Sequence, residues 1–165
     1  MNFKNSNYPG TFNWADLAAS SAVEAKAYYG RLFGWKAQDV PVGPGVFSML
    51  YSNDVEVASL YQLSRQQKAQ GIPAHWMAYV AVANVDKTSR RVQQFGDQVL
   101  VAPFDILNAG RIALLLDPTG APFAIWQTKR RAGQRQAWQP GMLAWTELLT
   151  ADRGRAATVY MQVLV

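Results

Sequence analysis

The sequence predicts an α+β chain made of two successive β-α-β-β-β units followed by an extra strand and helix. Three observations carry this expectation. The stretch Trp14 to Trp35, WADLAASSAVEAKAYYGRLFGW, reads as a strand, a turn, an amphipathic helix and a glycine stop. The same order of strand, capped helix and hairpin strands returns over 75–128 with little sequence identity. Finally, the opening of the chain recurs near its end at a constant offset of 131 residues: Trp14 with Trp145, Leu17 with Leu148, Tyr29 with Tyr160. Gly10, Trp14, Leu17, Ala25 and Tyr29 recur as identities and Asp16 returns as Glu147, without a gap. Internal repeats decide domain count before any fold assignment. This one marks a domain of about 130 residues, a normal domain size, followed by the opening of a second.

Composition narrows the class. The chain of 165 residues is 50% hydrophobic and 12% aromatic, a globular rather than a disordered balance. With no cysteine there is no disulfide, no thiolate metal site and no cysteine nucleophile, which suits a reducing compartment. The N-terminal MNFKNSNYPG has no apolar core of a signal peptide, and no apolar run reaches the length of a membrane span. A cytoplasmic protein without a membrane partner is expected. The net charge of +5 gathers in Lys129-Arg130-Arg131, Arg135, Arg153 and Arg155. No interleaved aromatics or nucleic-acid motif accompany these residues, so they read as a solvated linker and helix face, with no nucleic-acid partner.

In chain order, 1–10 is a polar arm ending in Pro9-Gly10. Phe12, Trp14 and Asp16 alternate with polar or small residues, giving a strand over 12–18. Ser21 and Glu24 have capping-box spacing. The stripe Ala25, Tyr28, Tyr29, Leu32 and Phe33, ended by Gly34, gives a helix over 21–33. Trp35–Val40 is a short strand closed by Pro41 and the Gly43-Pro44-Gly45 loop. Val46–Tyr51 and Val55–Leu63 form a hairpin around Ser52-Asn53-Asp54. Residues 64–74 are a connector with room for one helical turn. Trp76–Ala83 is a strand. Asn84 caps a helix with Val85, Thr88, Val92 and Phe95 on one face, stopped by Gly96. Residues 98–107 hold one or two strand pieces interrupted at Pro103. Strands Arg111–Leu116 and Ala121–Thr128 flank the Asp117-Pro118-Thr119-Gly120 turn. A linker (129–140), a strand over 142–149 and a helix over 153–164 follow. The domain is thus 11–128, with units 11–63 and 75–128, and 141–165 is the incomplete start of another.

Ala27-Tyr28-Tyr29 with Leu32-Phe33-Gly34-Trp35, the helix start Asn84-Val85-Asp86, and Gly110-Arg111 with Asp117-Pro118-Thr119-Gly120-Ala121-Pro122-Phe123 are landmarks. Through them the chain resembles the vicinal oxygen chelate superfamily of glyoxalase I, bleomycin-resistance proteins and extradiol dioxygenases. Within it, the longer tandem bacterial proteins labelled glyoxalase-like or hydroxylase-like are the nearest in pattern. The resemblance implies that each unit curls into a half-barrel and that the two form a cup. It also implies that the enzymes hold a divalent metal there through His, Glu or Gln from the first and last strands of each unit, leaving a position for substrate oxygens. Counted from the landmarks, those positions fall at Trp14, Ser59, Met77 and Ala124. None is a ligand of that type, so no metal or other cofactor is expected. Asp16, on the same strand face as Trp14, is read as a polar group at the cup mouth, its alternative being an unusual metal ligand. His75, the single histidine, cannot form a metal site alone and reads as a strand-end residue; no nucleophile–base set is visible and no catalytic residue is assigned. Arg111 reads as a surface arginine, its alternative being a clamp for an anionic ligand.

Strand alternation places Trp14, Asp16, Ser59, Tyr61, Met77, Tyr79, Ala124 and Trp126 on the concave face. Rings with a few polar tips suit a small aromatic or amphipathic molecule. The expected function is metal-free binding, either sequestering or sensing. The alternatives are a lyase, isomerase or dioxygenase of the superfamily, and assembly, for instance as a homodimer, through 141–165.

Overall fold

The computed structural model describes residues 8–42, 45–95, 98–129 and 140–164. The expectations for 1–7, Gly43-Pro44, the Gly96 stop and 130–139 lie outside these residues. Contacts divide the described chain into two compact units: Trp14–Met77 with 140–145, and 8–13, 78–129 and 146–164.

The first unit runs β1 (Phe12–Ala19), α1 (Ala22–Phe33), β2 (Lys36–Val42), β3 (Gly45–Ser52), β4 (Val55–Gln62) and α2 (Arg65–Ala69). Its sheet order is β2-β3-β4-β1, with β1 parallel to β4 and the other pairs antiparallel. Local chemistry sets the boundaries. The Ser21 hydroxyl accepts from Glu24 N, and Gly34 (φ +70°) closes α1 in the left-handed region. Asn53 and Asp54 have φ of +48° and +64°, the positive values of a type I′ hairpin turn. The reciprocal capping box forms at α2, where Ser64 and Gln67 bond to each other's backbone.

Leu17, Ala19, Leu50, Ala58 and Leu60 form the buried sheet face, onto which Ala22, Ala25, Tyr29, Trp35 and Met142 pack. The predicted α1 stripe is only half realised. Ala25 and Tyr29 face the sheet, but Tyr28 and Leu32 stay 54% and 53% exposed. The Phe33 ring instead lies tilted 5.0 Å from Trp35, and Trp35 stacks 5.6 Å from Tyr29, so the helix end is finished by a cluster of rings.

From Ala78 the second unit runs through the rest of β5 (His75–Ala81), then α3 (Val85–Gln94), β6 (Gln98–Ile106), β7 (Gly110–Leu116), β8 (Pro122–Thr128) and α4 (Arg153–Leu164). Its order, β5-β8-β7-β6 with β5 parallel to β8, repeats the topology of the first. Val80, Ala113, Leu115, Phe123 and Ile125 meet Val85 and Val92 of α3 and Val159, Val163 and Leu164 of α4. Phe95, expected on the core face of α3, is exposed at its C-cap. Pro103 does not divide β6. The strand continues through two register shifts, because an edge strand tolerates a missing N–H. At the Asp117 turn, one carboxylate oxygen accepts from Thr119 N, Thr119 Oγ1 and Ala121 N, and Gly120 supplies φ +93°.

The repeat holds for the helix and fails for the strand. Ala22 to Arg153 and Phe33 to Leu164 are both 131 residues apart, so α1 and α4 coincide in bounds. The strand expected over 142–149 does not form: 143–150 carries no ladder, with Trp145 80% and Leu149 90% exposed. Alternation alone cannot make a strand. The backbone must be paired, as β1 is by β4, and among the described residues no strand pairs with this segment.

Candidate functional site

In the first unit, the sheet face away from α1 carries Trp14, Asp16, Ser59 and Tyr61. The register explains why they meet. Asp16 lies opposite Ser59 and Ala18 opposite Tyr61 across the parallel β1–β4 pair, while Met49 and Phe47 answer Ser59 and Tyr61 from β3. The half-buried Trp14 indole donates to Ser59 Oγ at 2.6 Å and to Asp16 Oδ1 at 3.1 Å. Ser59 is fully buried and Asp16 only 6% exposed, so Asp16 is a buried member of this cluster rather than a group at a mouth. Burial, then the negative charge of Asp16, raises the Tyr61 phenol above its ordinary value, and a hydrogen bond with Gln67 pulls the other way. Gln67 was not foreseen as a site residue. Its capping-box spacing was the available signal, but its reach to Tyr61 requires the α2 turn to be placed.

Met77, on β5, is buried. In the second unit, the face away from α3 and α4 carries Tyr79, Ala124 and Trp126. Tyr79 is opposite Ala124 and Ala81 opposite Trp126, with Ile112 and Leu114 alongside on β7. Tyr79, Ala124 and Ile112 are buried, and Trp126 and Leu114 are half-buried. Gly110 makes room for Trp126: a Cβ there would stand 2.3 Å from indole Cζ2 and 2.6 Å from Gln127 O. Aliphatic side chains flank the rings on this face, where Asp16 and Ser59 stand beside Trp14 on the other.

Two other candidates are used structurally. Arg111 lies on the opposite face of β7, beside α3. It donates to both Asp86 carboxylate oxygens at 2.8 and 3.0 Å and to Asp105 at 3.2 Å, so it is no clamp for a ligand on the ring face. Arg111 holds the Asp86 carboxyl below its ordinary value, and Lys129, 2.9 Å away, and then Arg111 do the same for Asp105. His75 bonds through Nδ1 to Pro73 O at 2.8 Å, as a strand-end residue.

The donors at the positions assigned to metal ligands do not fit a divalent cation. An indole N–H has no lone pair to give, Met77 offers a soft thioether and Ala124 a methyl. The Ser59 hydroxyl is the one oxygen, and it is engaged by Trp14. Among the described residues, no three Asp, Glu or His side chains are grouped as a metal set.

The β-α-β-β-β topology repeats, and comparison with known proteins places the chain in a superfamily. The Glyoxalase/Bleomycin resistance protein/Dioxygenase superfamily matches residues 11–125, and the chain belongs to it. It is 39% identical over 165 residues to a putative glyoxylase, CFP32, of Mycobacterium bovis, covering 98% of this chain and 62% of that protein. It is 32% identical over 167 residues to the anthracycline biosynthesis protein DauV of a Streptomyces species, covering 94% and 61%. The chain thus spans about three fifths of the length of these relatives. Among solved structures, the Mn(II)-bound glyoxalase of Novosphingobium aromaticivorans aligns at TM-score 0.65 and 13% identity over 94% of this chain and 52% of that one. A methylmalonyl-CoA epimerase of Streptomyces coelicolor aligns at 0.53 and 16% over 73% and 96%. At these identities the structures show a shared fold. No helix among the described residues is long and apolar enough to cross a membrane.

Proposed function

We propose that this chain binds a flat, aromatic or amphipathic small molecule on its ring-bearing strand faces without a metal ion or other cofactor, sequestering or sensing it. The observation that carries the reading is the commitment of Trp14 and Ser59 to each other, at two positions that the resemblance assigns to metal ligands. The rings of Trp14, Tyr61, Tyr79 and Trp126 offer apolar faces with hydroxyl or indole tips, a chemistry suited to stacking. The Streptomyces relatives named for anthracycline biosynthesis favour a flat polycyclic ligand, since an anthracycline is a fused-ring molecule. Native mass spectrometry of protein purified without added metal tests this. Apo protein, or protein carrying an organic molecule, is expected; a stoichiometric divalent ion would favour the alternative, a metal-dependent lyase, isomerase or dioxygenase, for which the relatives named glyoxylase speak.

A second reading, self-association, is favoured by the exposure of Trp145 and Leu149 on a segment that repeats β1. Exposed apolar side chains on an unpaired stretch invite strand addition. Trp145→Ser with Leu149→Ser should lower the mass measured by light scattering toward that of one chain. An unchanged mass counts against this reading.

A further inference from the structure

We infer that the Trp14 indole N–H takes over from a metal ion the linking of β1 to β4 on the first unit's sheet, holding a carboxylate and a hydroxyl of the two strands to one donor. The inference rests on the metal-independent reading and names the atom that takes over the cation's role. In a metal site, ligands from two strands are held together because both bond to one positive centre. Here the positive centre is a polarised N–H hydrogen. Trp14 Nε1 lies within bonding distance of Ser59 Oγ, 45 residues away in sequence, and of Asp16 Oδ1 on its own strand. Asp16 and Ser59 are register partners, so one hydrogen spans the β1–β4 ladder at the level where both oxygens point. Both acceptors are buried, which strengthens the bonds and leaves an orphaned oxygen expensive. An incoming cation would have to displace a donor already held by a carboxylate and a hydroxyl, in exchange for an indole that cannot ligate it.

The test uses indole N–H resonances of the ¹⁵N-labelled chain, with Trp14 assigned by its loss in Trp14→Phe. The Trp14 N–H should exchange with solvent at least about tenfold more slowly than that of the exposed Trp145, because a buried hydrogen bond must open first. Equimolar MnCl₂ should leave its intensity intact. Trp14→Phe should lower the melting midpoint by roughly 3–10 °C, the shift expected when buried acceptors lose their donor. Should that variant fail to fold, Ser59→Ala must shift the Trp14 resonance in the otherwise intact protein. Exchange as fast as Trp145, or an unmoved resonance in Ser59→Ala, would overturn the inference while leaving the metal-free reading standing. Selective broadening of Trp14 by one equivalent of Mn(II) would overturn both.

Discussion

The two units share a topology and differ in what their open strand faces carry. One face is wired: Trp14 bonds to Asp16 and Ser59, and Tyr61 feels the Asp16 charge. The other sets the aliphatic Ile112, Leu114 and Ala124 around Tyr79 and Trp126. The helices differ as well. Tyr28, Leu32 and Phe33 of α1 are exposed, whereas Val159, Val163 and Leu164, their counterparts at an offset of 131, are buried in α4. The same periodic stripe is therefore covered or bare according to the surface it meets. Alternation and caps set the topology; the residue at each alternate position sets the chemistry.

The comparison can be broken first in the cores. Leu60→Ala in one unit and Ile125→Ala in the other remove fully buried side chains and should each cost about 2–5 kcal/mol in urea unfolding. Leu32→Ala on the bare ridge should change stability by no more than about 0.5 kcal/mol. A large loss at Leu32 would mean that the ridge is covered in solution. Next comes the face carrying Trp126. Gly110→Ala drives a methyl into Trp126 and should cost about 1–3 kcal/mol, read as a lower urea midpoint, with changed Trp fluorescence.

Two pH effects sharpen the contrast. The folded Tyr61 phenol is raised above its ordinary value of 10.0, so folding favours its neutral form. Stability should be full below pH 10 and fall as pH rises through that value, since the unfolded chain ionises first. Asp16→Asn should bring the phenolate absorbance of Tyr61 in earlier, yet still above the ordinary value, because burial is the larger cause. The smallest effect belongs to the exposed Arg111 pairs. Asp86 is depressed below 3.8 chiefly by Arg111, and Asp105 first by Lys129 and then by Arg111, so their stabilisation is present above that pH and disappears as pH falls through their folded values, the Asp86 part resting most on Arg111. Arg111→Met should flatten this acid limb in thermal melts, and added salt should mimic the substitution.

Much of the fold was legible because its signals are local: Ser21, Asn84 and Gly34 bound helices, and alternation marks strands. The ring-bearing residues followed from parity alone. What pairs with what did not, since the Trp14–Ser59 bond depends on the register of two strands separated by α1 and a hairpin. The α1 stripe misled because Phe33 packs on the Tyr29 and Trp35 rings rather than on the sheet. The segment 143–150 misled because alternation describes one strand while a ladder needs two.

The central claim is that these faces bind through rings rather than through a chelated ion. It is tested most directly by following tryptophan fluorescence as a planar anthraquinone is titrated into the protein, once in excess EDTA and once with Mn(II). Saturable quenching with the same midpoint in both, weakened by Trp126→Ala, is the predicted result. Quenching that appears only with Mn(II), or that EDTA abolishes, would contradict it.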